Sequence, residues 1–124
     1  KCQDTPFITA GRYRKDDGTQ FEPRFTVTFN QKDYERYKAY CSDIDIYFWV
    51  NWSQLEYESR AGAKISIESL AGVWYSPFQK MADNIAIGKY PLHQYLRRKY
   101  DTKGNAKASF LIDLRDLTTL AILG

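Results

Sequence analysis

One histidine and two cysteines are all the imidazole and thiol groups in this 124-residue chain. Two cysteines do not make a zinc ribbon, and Cys2 and Cys41 are too far apart in sequence for a Cys-x-x-Cys redox pair. Any Ser-His-Asp or Cys-His catalytic site would have to use His93, and nothing around Cys2 or Cys41 marks a nucleophile. No apolar run approaches the roughly 18–20 residues of a membrane span. Internal repeats, low-complexity tracts and linker-like stretches are missing too. The polar opening Lys1-Cys2-Gln3-Asp4-Thr5-Pro6 does not read as a targeting signal. The first residue is Lys rather than Met, so the sequence is expected to be processed or to belong to something longer.

What is present is ordinary in amount and uneven in place. With 44% apolar and 16% aromatic residues the chain is not disordered. Its length is that of one domain, with core enough to fold without a disulfide framework or a structural metal. The two cysteines are free thiols if the protein is cytoplasmic, or a disulfide if it is secreted. The net charge of +3 hides its distribution. Residues 1–38 carry +2, residues 39–88 carry −3, residues 89–107 carry +5 and residues 108–124 carry −1. A basic excess packed into nineteen residues attracts phosphate by Coulomb forces alone.

Local patterns predict a mixed α/β chain. Residues 1–23 read as irregular, broken by Pro6, Gly11, Asp17-Gly18 and Pro23. Arg24-Phe25-Thr26-Val27-Thr28-Phe29 alternates and is β-branched and aromatic, so it reads as a strand. Asn30 is an N-cap candidate for a helix over residues 31–40, with Asp33 in its first turn and Tyr34, Tyr37 and Tyr40 near one face. Residues 44–52 form a continuous apolar run, the pattern of a strand covered on both faces. Residues 60–63 read as a loop. Leu70, Trp74, Phe78, Met81 and Ile85 recur at helical spacing and predict a helix interrupted near Ser76-Pro77. Residues 88–91 read as a turn and residues 108–114 as a final strand.

Three sets of residues are candidates for chemistry. The first is the basic segment of residues 93–107, where His93, Arg97, Arg98, Lys99, Lys103, Asn105 and Lys107 are interleaved with Tyr95 and Tyr100. Cations there neutralise phosphates, while the polar and aromatic side chains stack or reach base edges. The second is Arg12, Arg14 and Lys15, a smaller basic cluster followed by two aspartates. The third is Asp45 with Glu56 and Glu58, an acidic set whose convergence on Mg²⁺ would require a sharp bend near Asn51-Trp52-Ser53.

The order of elements adds a resemblance. Lys1-Cys2-Gln3-Asp4-Thr5, a polar loop, a strand ending at Phe29-Asn30, a helix and the apolar strand of residues 46–52 are similar to the part of a PD-(D/E)XK nuclease that follows its catalytic motif. Type II restriction endonucleases of that superfamily are the specific likeness. The stretch from Tyr100-Asp101 through Gly104-Asn105-Ala106-Lys107 to Ile112-Asp113-Leu114 resembles the close of such enzymes. The resemblance implies a mixed sheet flanked by helices and Mg²⁺-dependent, sequence-specific cleavage of double-stranded DNA by a homodimer. In it Lys1 matches the motif lysine, and the paired acids fall outside the sequence. Arg12, Arg14, Lys15 and the basic segment would then contact DNA. A non-catalytic nucleic-acid-binding domain and a small secreted binding or toxin-like domain are the competing expectations.

Overall fold

A computed structural model describes residues 1–95 and 108–123. In chain order its elements are β1 (Cys2–Gln3), β2 (Thr26–Asn30), α1 (Gln31–Tyr40), β3 (Asp45–Trp52), β4 (Leu55–Glu58), β5 (Lys64–Ile67), β6 (Leu70–Pro77), α2 (Phe78–Ala86), β7 (Leu92–Gln94), β8 (Ala108–Asp113) and β9 (Thr118–Ile122). They make an α/β structure with three sheets. The first is mixed, in the order β1-β3-β6-β9, with β1 parallel to β3 and the other pairs antiparallel. The second, β2-β8-β7, is antiparallel, and β4-β5 is a free-standing hairpin. No helix among the described residues is long and apolar enough to cross a membrane.

Local chemistry accounts for the first helix. The Asn30 side chain accepts a hydrogen bond from the Lys32 amide and caps α1, and Asp33 stands at the positive end of the helix dipole. Tyr34 and Tyr37 pack on Phe78 at the start of α2, with ring centroids 6.2 and 5.9 Å away. Tyr40, by contrast, is 84% exposed. Each step of three residues drifts by about 60° around a helix, so the third tyrosine leaves the face that the first occupies.

Two strand expectations are corrected. The apolar run of residues 44–52 is not covered on both faces: Ile46, Phe48, Val50 and Trp52 are buried, while Tyr47 and Trp49 are 49% and 54% exposed. Aromatic residues on the open face made an alternating strand look continuous. The strand buried throughout is β8, the central member of its sheet. The helix expected from Leu70 onward begins only at Phe78. Residues 70–77 form β6, whose inward positions Leu70, Gly72, Trp74 and Ser76 follow a period of two. A spacing of four fits both periods, and Val73, Trp74 and Tyr75 prefer extended backbone. Pro77, which has no amide hydrogen to give to a ladder, ends the strand and stands at the N-cap of α2. Gly72 is required by packing, because a Cβ there would lie 2.4 Å from the Ala121 carbonyl oxygen on β9.

One core joins the layers. Phe29 from β2 meets Phe48 from β3 and Phe78 from α2 at 6.4 and 6.3 Å between centroids. Met81 and Ile85 of α2, with Leu111, Ile112 and Leu114, complete it.

Candidate functional site

Lys1 is built into the mixed sheet. Its carbonyl accepts from the Trp49 amide and its main-chain nitrogen donates to the Tyr47 carbonyl, each at 2.7 Å, so the β1–β3 pairing includes it. Cys2 faces outward with Trp49, and Gln3 shares the inner side with Val50. Strand alternation places the Lys1 side chain on that inner side too. There its ammonium lies 2.7 Å from Asp33 Oδ2 and 4.8 Å from the centroid of Phe29. Asp33 also receives Arg36 at 2.7 Å. Gln3 bonds main and side chain of Thr28 and so fastens β1 to the second sheet. The resulting cleft, about 430 Å³, is lined by Lys1, Gln3, Asn30, Asp33, Tyr95 and Ser109, among others. The cleft thus joins the Lys1 strand, the N-terminal end of α1 and the residue at which the basic segment leaves β7.

The smaller basic cluster divides. Arg12 and Arg14 are exposed. Lys15 turns inward, its side chain 8% exposed, and lies 3.1 Å from Asp113 and 3.3 Å from Asp116. Arg115 holds the fully buried Asp113 at 2.8 Å and reaches Glu22 at 3.4 Å, while Tyr90 donates to Asp116 at 3.0 Å. Lys89 completes the group at 3.6 Å from Asp116. Burial alone would raise the Asp113 pKa, but hydrogen bonds from Arg115 and Lys15 outweigh it and hold the carboxyl below its ordinary range. Burial alone would likewise lower Lys15, and its bonds to Asp113 and Asp116 more than reverse that. The Tyr90 phenol is pushed far up by burial and by the charge of Asp116. Lys15 is therefore committed inside the fold and presents no free charge to a phosphate.

His93 is likewise engaged. Its Nδ1 and the Tyr13 hydroxyl share a 2.6 Å hydrogen bond, the hydroxyl donating when the imidazole is neutral with its proton on Nε2. Phe7 and Tyr95 pack edge-on against the ring, each 5.0 Å away between centroids. Tyr13 stands between Arg12 and Arg14, so this contact ties that loop to His93 on β7. Arg97, Arg98, Lys99, Lys103, Asn105 and Lys107 lie outside the described residues.

The acidic set does not converge. Asp45 starts β3 beside the Tyr75 hydroxyl, whereas Glu56 and Glu58 follow the other end of that strand, roughly 20 Å or more away at about 3.3 Å per residue. Among the described residues no three His, Cys, Asp or Glu side chains are placed to hold a metal. Cys2 and Cys41 are free thiols.

Sequence reasoning missed Asp33, Gln3 and the Asp113 cluster. Asp113 did carry a signal, since a lone carboxylate ending an apolar strand needs a cationic partner. No protein-family model, curated protein or solved structure matches this chain.

Proposed function

We propose that this chain is the C-terminal portion of a Mg²⁺-dependent, sequence-specific endonuclease for double-stranded DNA, built on a restriction-endonuclease-like core. The observation that carries the reading is Lys1 itself, whose main chain bonds to β3 immediately before β1 and whose ammonium meets Asp33. Its cleft is shared with the α1 N-terminus and with Tyr95 at the head of the basic segment. In a strand, the position two residues before Lys1 would share its face, as an acid-x-Lys motif requires. Arg12 and Arg14 are exposed elsewhere on the described surface, and the cations of residues 97–107 are assigned to DNA by sequence alone.

The carboxylates described here do not fit Mg²⁺. Asp33 is already paired with Lys1 and Arg36, and one such carboxylate is a poor hold for a hard cation. The metal ligands of this proposal belong to other residues of the intact protein. What this chain contributes is a fixed ammonium at the cleft and a surface for phosphates. A homodimer on a twofold-symmetric site and a cytoplasmic location complete the reading.

The test is incubation of the intact gene product with plasmid DNA, with Mg²⁺ and with EDTA. Discrete, Mg²⁺-dependent fragments are expected, and Lys1→Met should lose at least about 100-fold in cleavage rate. Duplex affinity should stay within threefold. Failure to produce discrete fragments under any condition overturns the enzyme reading. The Lys1–Asp33 pair, which already neutralises the ammonium, favours a second reading as a non-catalytic nucleic-acid-binding domain. Binding that weakens steeply with salt and ignores base sequence would select it.

A further inference from the structure

The β4-β5 hairpin pairs with neither of the other sheets. Its register sets Tyr57 opposite Ile65 on one side and Glu58 opposite Lys64 on the other. The side bearing Tyr57 and Ile65 faces the loop of residues 8–12 across an open groove of about 620 Å³. Sites for small organic ligands span about 300–1,000 Å³, and the groove is of a size for one nucleotide unit. Its floor is mostly apolar, and among the described residues Arg12 and Arg60 are the charged side chains that line it, with no Asp or Glu. Neither arginine has an ion-pair partner among the described residues. Tyr57 is 40% exposed and lines the groove.

A mostly apolar floor, a partly exposed aromatic ring and two uncompensated guanidinium groups match a planar base joined to a phosphate. Tyrosine stacks on any base, and arginine meets phosphate oxygens with paired N–H donors. We propose that this groove binds one unpaired nucleotide of a DNA strand, with Tyr57 stacking on the base and Arg12 and Arg60 holding its phosphate. The proposal rests on the nucleic-acid part of the function proposed above, not on cleavage. It adds a second contact region, distinct from the Lys1 cleft, and gives the hairpin a role.

The experiment is fluorescence anisotropy of the purified chain with two labelled DNA duplexes of equal length, one blunt and one ending in a four-nucleotide single-stranded overhang. The overhang duplex should bind about tenfold more tightly, about 1.4 kcal/mol, from stacking of its base on the aromatic ring. Arg60→Ala and Tyr57→Ser should each erase most of that preference while leaving blunt-duplex affinity within twofold. Tyr57→Phe, which keeps the ring, should preserve it and so separates stacking from hairpin folding. Adenosine monophosphate in millimolar excess should compete only for the overhang preference, and inorganic phosphate at the same concentration should compete less. Equal affinity for both duplexes, or a preference untouched by Arg60→Ala and Tyr57→Ser, overturns this inference and leaves the endonuclease reading standing. No binding to either duplex overturns this inference together with the nucleic-acid contacts assigned to this chain, whereas the enzyme reading is decided by the cleavage assay of the intact gene product.

Discussion

Replacing Asp113 with alanine should come close to unfolding this protein. The carboxylate is fully buried and accepts from the Arg115 amide, Arg115 Nε and the Arg115 guanidinium at 2.9, 3.0 and 2.8 Å, and from Lys15 at 3.1 Å. Removing it leaves the buried Lys15 ammonium with Asp116 alone and strips the cap from the turn that follows β8. Truncating one member of a buried ion pair costs about 3–5 kcal/mol, a large share of the ~5–15 kcal/mol that holds a domain together. With a urea m-value of about 2 kcal/mol/M, the unfolding midpoint should fall by about 2 M, read from the fluorescence of the three tryptophans. Asp113→Asn keeps one acceptor for the Arg115 amide and should lose less. The pH profile gives an independent check. The Asp113 pKa is depressed in the folded state, so its contribution is present above the unfolded value, about 3.9, and is lost as pH falls through the folded one. Lys15 and Tyr90 are raised, so theirs is present below about pH 10 and is lost as pH climbs through their folded values. In Asp113→Asn the acid limb should flatten and the Lys15 part of the alkaline limb should shrink with it, since Asp113 holds Lys15 up, while the Tyr90 part, set by burial and Asp116, remains. An Asp113→Ala midpoint within about 0.3 M of the parent would refute the reasoning, because no uncompensated buried charge could then have been created.

Three further outcomes are expected. Phe48→Ala should cost about 3–5 kcal/mol, whereas Trp49→Ala on the open face should cost under about 1 kcal/mol; equal losses in urea titrations would contradict the alternation of β3. Asn30→Ala should destabilise by about 1 kcal/mol through loss of the α1 cap, which thermal melts will register as a lower midpoint. Arg12→Ala and Arg14→Ala should each reduce the slope of log affinity for duplex DNA against log salt by about 0.9 with stability intact. Lys15→Ala should instead lower the urea midpoint, and the reverse pattern would show that Lys15 is a phosphate contact after all.

Much of this architecture was written in short-range chemistry. A β-branched, alternating run became β2, and an asparagine followed three residues later by an aspartate marked the start of α1. Those features depend on neighbours within one turn or one pleat, so a one-dimensional reading captures them. Parity was harder. Whether β3 is covered on one face or two depends on which layers lie above and below it, and exposed Tyr47 and Trp49 have the same composition as buried residues. The β6-α2 boundary was ambiguous because Leu70, Trp74 and Phe78 satisfy both periods until Gly72 is seen against β9.

The candidate site divides along the same line. Sequence alone determined that positive charge gathers in residues 89–107 and around Arg12 and Arg14, and that one lysine opens the chain. Only the tertiary structure decided which of the charges among the described residues are engaged. It set Lys15 against Asp113, about 100 residues away, and tied the loop carrying Arg12 and Arg14 to β7 through Tyr13 and His93. It also placed Lys1 beside Asp33. A charge is a property of one residue, but its availability depends on what the fold sets within a few ångströms of it.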